Sequence, residues 1–359
     1  MKRFHPLTIV AKEKETDDSV VLTLQASPEL QAEYAYAQGQ HLPLRMEIDG
    51  KSVRRTYSIC SSVADSTLRL GIRVQTDGLF SNYVAEHLNV GDTIDAMPPY
   101  GHFNTPLNAD KPKNYAAFVA GSGITPLLSI VKTTLETEPG SRFVVFYGNR
   151  QRSTTMFIED LYALKNIHRD RLALHFIMSQ EPTELALYEG RLDGAKVSAL
   201  HDAFLKELAI DEVFICGPNP MIDNVTAALT EAGYAADNVH SERFRPGLKT
   251  QVDKPKRTVA SDNQDLLATI DVIVDGQRQR FAMHNNDESV LDAALRNGID
   301  LPYSCKGGVC STCRCKQTAG ASEMTLNYAL EPWELEAGFI LTCQARPTSD
   351  TLELDYDQT

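Results

Sequence analysis

Nowhere in the chain do eighteen apolar residues run together, and a bilayer-spanning helix needs about twenty, so no membrane span is expected. The N-terminus, MKRFHPLTIVAKEKETDD, offers only a short apolar run from Leu7 to Ala11. That is too little for a signal h-region. Cysteine is also scarce. Seven among 359 residues do not make a disulfide scaffold, and thiols or metal ligands in a reducing compartment, the cytoplasm, are the expectation. There is no excess of basic residues; the formal net charge of −13 argues against nucleic acid as a partner, because that affinity comes mostly from phosphate contacts. Internal repeats, low-complexity tracts and a complete G-x-G-x-x-G are absent as well.

What is present falls into three segments. Residues 1–107 carry short β-type runs divided by turn signals (SVVLTLQA, HLPLRMEI, TLRLGIRV, DTIDAMPP), the texture of a small antiparallel barrel or sandwich. Residues 108–244 alternate buried-type strands (AAFVAG, RFVVFYG, LALHFIM, EVFICG) with helical stretches, which predicts a parallel sheet with crossover helices. Residues 245–267 are polar, contain two prolines and lack a sustained apolar period, and read as a linker. From Ala268 a strand-rich segment leads through the helical SVLDAALRNG into CKGGVCSTCRC, giving an α+β third domain over 268–359. The fold class is therefore multidomain.

Cys305, Cys310 and Cys313 are spaced C-x4-C-x2-C, and Cys343 follows alone in FILTCQARP. This is the plant-type [2Fe–2S] spacing, in which four thiolates hold two irons. Zinc sites more often pair two C-x2-4-C knuckles. Gly307 and Gly308 let the backbone bend around a cluster. Cys315 is a spare whose C-x-C position makes it an alternative ligand, but the spacing favours Cys313. The stretches YSCKGGVCSTCRCK and MTLNYALEPWELEAGFILTCQARPTSD resemble the ferredoxin domain of phenylacetyl-CoA epoxidase reductase subunits, and the likeness extends over all three segments. It implies a β-grasp-like third domain. It also implies a partner, the di-iron oxygenase component of a multicomponent complex.

Residues 55–58 read RTYS. Alone, they are equally well a surface arginine and an ordinary strand tyrosine. The ferredoxin–NADP reductase superfamily has an R-x-Y-S stretch on a barrel strand, and the resemblance implies that Arg55 pairs with a flavin phosphate. Thr56 and Tyr57 would line the ring system, and Ser58 would reach its reactive edge. Gly78, Phe80, Ser81 and Asn82 match a G-x-x-S turn that opens a helix, whose free amides suit a pyrophosphate. Phe103, in PPYGHFN, occupies a third flavin-proximal stretch. Three elements in this order favour FAD over FMN. His41, in GQHLPL, is either a cofactor contact or a plain strand residue.

VAGSGITP lies between an apolar strand and LLSIVKTTLE, so Gly121, Gly123, Ile124, Thr125 and Pro126 are candidates to cradle a dinucleotide. No acidic residue ends the next strand, FVVFYGNR. Arg150 and Arg152 stand there instead, either reading a 2′-phosphate or merely solvated, and Ser179-Gln180 replaces the Ser-Arg of many NADPH-using relatives. Cys216, Gly217, Pro218 and Met221 match the superfamily's C-G-P-x-x-M, whose cysteine lies by the nicotinamide. The resemblance further implies catalytic placement for Ser58, Cys216, Glu242 and Phe244. The expected activity is an NAD(P)H-dependent oxidoreductase passing electrons from NADPH, or NADH, through FAD and [2Fe–2S] to an oxygenase. A reductase for another aromatic-ring or steroid oxygenase is the near alternative, and a non-enzymatic electron carrier or redox sensor the distant one.

Overall fold

A computed structural model describes residues 3–244 and 266–358. The described residues divide into two compact units, one spanning Phe4–Phe244 and the other holding the C-terminal residues from Leu266 onward. The stretch read as a linker lies outside the described residues except for Leu266 and Leu267. These two already belong to the first strand of the C-terminal unit: Leu266 pairs with His284 on the neighbouring strand and Leu267 enters the core.

The first unit begins with six strands: β1 His5–Thr16, β2 Ser19–Gln25, β3 His41–Ile48, β4 Lys51–Ser58, β5 Leu68–Arg73 and β6 Thr93–Ala96. They lie in the order β4-β3-β6-β1-β2-β5 with antiparallel neighbours. A bridge from Ile59 to Leu70 joins the end of β4 to β5 and closes the barrel. One helix, α1 Leu79–Glu86, precedes β6. Alternation along β2 divides its side chains between two cores: Val20 and Leu22 fill the barrel, whereas Val21 joins the core of the sheet that follows.

That sheet comprises β7 Asn114–Ala120, β8 Arg142–Asn149, β9 Leu172–Met178, β10 Glu212–Cys216 and β11 Val239–Glu242, with helices α2 Ile124–Thr137, α3 Ile158–Ile167, α4 Gly194–Phe204 and α5 Asn219–Glu231. All its strands are parallel, in the order β11-β10-β7-β8-β9. Strand β7 is buried on both faces, as a central parallel strand must be. Tyr115, Ala117 and Val119 pack with α2 and α3, and Ala116 and Phe118 with α4 and α5. The strand order reverses between β7 and β10, and in doubly wound sheets ligands bind outside the carboxyl ends at that point.

The C-terminal unit contains β12 Leu266–Val274, β13 Gln277–His284, α6 Val290–Arg296, β14 Arg314–Met324, α7 Pro332–Glu336, β15 Phe339–Leu341 and β16 Ala345–Asp355. Its sheet order is β13-β12-β16-β14-β15, with only β12 and β16 parallel. Asp275 and Gly276 both take positive φ in the first hairpin, the conformation a two-residue type I′ turn requires. The loop between α6 and β14 carries three of the four candidate cysteines.

Candidate functional site

On β4, Arg55 is exposed and its Nη1 donates to the Arg54 carbonyl at 2.7 Å. Tyr57 shares its strand face and packs against Phe80, with ring centroids 5.7 Å apart. Burial pushes the Tyr57 phenol well above its ordinary range, so it stays neutral. Gly78 caps α1, and a Cβ there would come within 2.5 Å of Ser81 Oγ and 3.0 Å of the Gln75 carbonyl. Ser81 Oγ donates to the Gly78 carbonyl and accepts from the Gln75 amide, while Asn82 Nδ2 donates to the Gln75 and Gly78 carbonyls. These two side chains therefore tie the turn together. The first-turn amides of α1 are the groups left for an anion.

At the switch point, β7 ends in a tight turn over Gly121–Gly123 that leads straight into α2. Thr125 Oγ1 donates to the Ser122 carbonyl at 2.9 Å, and Tyr147 Oη to the Gly121 carbonyl at 2.9 Å. Pro126 sits in the first turn of α2, where a missing amide hydrogen costs nothing. Gly123 meets the end of β10 so closely that a Cβ would lie 2.2 Å from the Cys216 carbonyl oxygen. Gly217 packs against Met221, and Pro218 caps α5. Two helix N-termini thus open at the reversal of strand order.

The barrel and the sheet meet beside this crevice. Register places His41 opposite Ser58 on neighbouring strands and Cys216 beside Glu242. His41 Nδ1 lies 3.6 Å from Glu242 Oε1, with both side chains largely buried, while Glu242 Oε2 has no hydrogen-bond partner among the described residues. Burial, and after it the Glu242 charge, hold the Cys216 thiol far above its usual range. Cys216 is thus a protonated wall of the crevice and no nucleophile. Ser58 and Cys216 are both buried. Phe244, the last described residue of the unit, is 38% exposed. Phe103 is buried, and its ring packs edge-on against Phe214 at 5.4 Å among core residues of barrel and sheet. Its carbonyl would lie 2.0 Å from a Cβ on Gly39.

Arg150 is exposed, and its Nη2 lies 3.7 Å from Asp18 Oδ2. Arg152 donates its backbone amide to Glu181 at 2.7 Å and lies over the Tyr162 ring. Arg152, Glu15, Glu159 and Glu181 line a cavity of about 720 Å³. Glu181, from beyond β9, thus stands next to the residues that follow β8. Only packing shows this.

In the C-terminal unit, Cys305 is within hydrogen-bonding reach of Cys310 and Cys343, and Cys343 is also within reach of Cys313. Cys310, Cys313 and Cys343 are buried. The Gly307 amide donates to Cys305 Sγ at 3.3 Å, and Gln344 Nε2 to Cys343 Sγ at 3.4 Å. Lys306 and Ser311 take positive φ without being glycine, a strained backbone of the kind that accumulates at functional loops. A Cβ on Gly308 would press to 2.9 Å from the Leu326 carbonyl. Cys315 turns into the core beside Tyr356, where burial drives its thiol upward. The donor set fits a [2Fe–2S] cluster: four neighbouring sulfurs, two of them with N–H donors of the kind that tune such clusters.

A closed barrel with an anion-ready helix start, a switch-point crevice beside it and a three-thiol loop that meets a fourth thiol after β15 of a β-grasp unit define a flavin- and nicotinamide-dependent iron–sulfur reductase. The chain matches the models of the oxidoreductase FAD-binding domain over residues 6–105, the oxidoreductase NAD-binding domain over 118–227 and the 2Fe-2S iron-sulfur cluster binding domain over 272–348. It belongs to the ferredoxin–NADP reductase superfamily, in the branch that carries a C-terminal plant-type [2Fe–2S] domain. It is 42% identical to one of the subunits of 1,2-phenylacetyl-CoA epoxidase from Escherichia coli (strain K12), over 99% of both chains. It is 34% identical to the ferredoxin reductase component of 3-ketosteroid-9-alpha-monooxygenase from Rhodococcus rhodochrous, over 98% of this chain and 96% of that one. Phthalate dioxygenase reductase shares the fold, with a TM-score of 0.58 and 22% identity over 98% of both chains. The protein is an oxidoreductase using FAD, a [2Fe–2S] cluster and a nicotinamide coenzyme, a reductase component of the kind that serves oxygenases. Among the described residues no helix is long and apolar enough to cross a membrane.

Proposed function

We propose that this chain is the cytoplasmic reductase component of a di-iron oxygenase that epoxidises the ring of phenylacetyl-CoA. The 42% identity to a phenylacetyl-CoA epoxidase subunit, extending over 99% of the chain, carries this reading. In it, residues 1–107 bind FAD, 108–244 bind the coenzyme and 268–359 hold the cluster. A flavin held by these residues would supply the chemistry that matches a two-electron nicotinamide donor to a one-electron iron–sulfur centre. The residues of the chain supply placement. Arg55 and the start of α1, where Gly78 and Asn82 shape the turn and Phe80 and Ser81 lie in the first helical turn, would hold the phosphates, and Thr56, Tyr57, Ser58 and Phe103 would bound the ring. Gly121, Gly123 and the starts of α2 and α5, with Ile124, Thr125, Pro126, Gly217, Pro218 and Met221, receive the dinucleotide. Cys216 and Glu242 flank the reacting ring and Phe244 covers it. Cys305, Cys310, Cys313 and Cys343 ligate the irons. Arg150 favours NADPH through the 2′-phosphate, and Glu181 pulls towards NADH.

The identity of 34% to a steroid monooxygenase component supports a second reading, a reductase for a different oxygenase. Reconstitution separates the two. With the phenylacetyl-CoA oxygenase component and NAD(P)H, the protein should drive epoxide formation. Cys343→Ser should lose that turnover and cytochrome c reduction while keeping FAD and ferricyanide reduction. No epoxide from the intact protein would rule out the proposed partner, and a normal cluster in Cys343→Ser would rule out the ligand assignment.

A further inference from the structure

Lys306, Arg314 and Lys316 flank the thiol loop and look in sequence like a basic collar. The structure separates them. Lys306 Nζ makes a half-exposed surface pair with Asp292 at 3.0 Å. The Arg314 side chain, by contrast, is only 12% exposed, and its Nε lies 2.6 Å from Oε1 of Glu334, whose side chain is fully buried. The Arg314 guanidinium also lies over the Phe339 ring, 3.5 Å from its centroid. The pair is a close ionic contact without the alignment of a hydrogen bond. The second Glu334 oxygen is engaged elsewhere, accepting the Glu331 amide at 2.9 Å to cap α7.

Arg314 directly follows Cys313 and turns into β14 through its amide bond to the Ser311 carbonyl. Burying two opposite charges gains little stability over an apolar pair of the same size. This pair nonetheless sits one residue from an iron ligand, where charge has a second consequence. We propose that the buried Arg314–Glu334 pair sets the reduction potential of the cluster, Glu334 cancelling most of the cationic field that Arg314 places beside Cys313. The proposal rests on the cluster reading given above. Reduction adds one negative charge near Cys313, which a neighbouring cation favours and a neighbouring carboxylate opposes. Bulk salt screens Lys306 and Asp292 at the surface but reaches a buried pair poorly. Other charges on this part of the sheet include Lys316, whose Nζ lies 5.8 Å from the Phe339 ring centroid, and Asp355, opposite Lys316 on β16.

Glu334→Gln removes the carboxylate charge yet keeps an oxygen for the Glu331 amide. Its cluster midpoint potential, read by dye-mediated redox titration of the full-length holoprotein, should move positive. The expected size is about tenfold in the one-electron equilibrium, or about 59 mV by the one-electron conversion. The double variant Arg314→Gln/Glu334→Gln should return close to the wild-type potential. A structural role alone would loosen the cluster in both variants without a sign that reverses. Iron content and cluster absorbance confirm loading. The protein's single tryptophan, Trp333, neighbours Glu334 on α7 and is half-exposed, so its fluorescence reports whether the helix stays in place. If Glu334→Gln cannot retain iron, Glu334→Asp, which withdraws the carboxylate from Arg314, should still shift positive but by less. An unchanged potential in a loaded variant, or a shift that persists in the double variant, overturns the proposal. Wild-type protein lacking iron and cluster absorbance would instead refute the cluster reading itself.

Discussion

Replacing Gly123 by alanine should damage coenzyme handling more than any other single methyl group added to the molecule. The new Cβ would lie 2.2 Å from the Cys216 carbonyl oxygen, 2.6 Å from its carbon and 3.1 Å from the Gly217 nitrogen, all backbone atoms. Ordinary contact begins near 3.4 Å, so the turn after β7 and the turn after β10 must part by roughly 1.2 Å. Overpacking of this kind costs about 1–3 kcal/mol, and the upper end applies because no flexible side chain can yield. The two turns are the walls of the crevice, and a misplacement of about 1 Å at a reacting centre can cost on the order of a hundredfold. Stopped-flow flavin reduction by NAD(P)H should therefore slow by about that factor, with cluster absorbance unchanged. Gly121→Ala is the control. Gly121 has positive φ but open space where its Cβ would stand, so that substitution costs only about 1–2 kcal/mol of backbone strain. If Gly123→Ala reduces its flavin as fast as Gly121→Ala, the two turns do not form the coenzyme crevice.

Arg55→Ala should weaken FAD retention by about 1.5–3 kcal/mol, the range for hydrogen bonds to charged groups, measured by flavin release on dilution; unchanged retention removes Arg55 from the phosphate site. Arg150→Ala should raise the KM for NADPH about tenfold, close to 1.4 kcal/mol, and leave NADH nearly untouched, whereas Glu181→Gln should favour NADPH over NADH; equal effects on both coenzymes would move the 2′-phosphate elsewhere. His175 stacks on Phe204 with centroids 4.0 Å apart and lies 2.9 Å from the Tyr188 hydroxyl, and burial pulls its imidazole down to about 4. A folded value below the unfolded one, about 6.5, means that the unfolded chain binds the proton more readily. Stability is then lost as pH falls from about 6.5 towards 4. Allowing for partial exposure, His175→Gln should remove about 1–2 kcal/mol of that acid sensitivity in urea unfolding followed by flavin fluorescence, and an unchanged pH slope would clear His175.

Contiguous residues determined whatever a local backbone demands. The C-x4-C-x2-C loop, the glycines of VAGSGITP and the Gly78 turn are legible because the bends they permit are set within a few residues, and few other side chains fit them. The strand-and-helix alternation of residues 108–244 announced a parallel sheet for the same reason: its strands are apolar on both faces. Register and packing decided the rest. That Glu242 stands beside Cys216 depends on how β11 aligns with β10, and that His41 comes within 3.6 Å of Glu242 depends on how the barrel seats on the sheet. That the Phe103 ring meets Phe214 edge-on while its carbonyl fills the space beside Gly39 also depends on packing between distant stretches. Glu181 reached the Arg152 amide from beyond the following strand. Arg314 left the apparent collar for a buried carboxylate twenty residues away. Composition and spacing are blind to such pairs, because side chains distant along the chain become neighbours only when the layers close and exclude water.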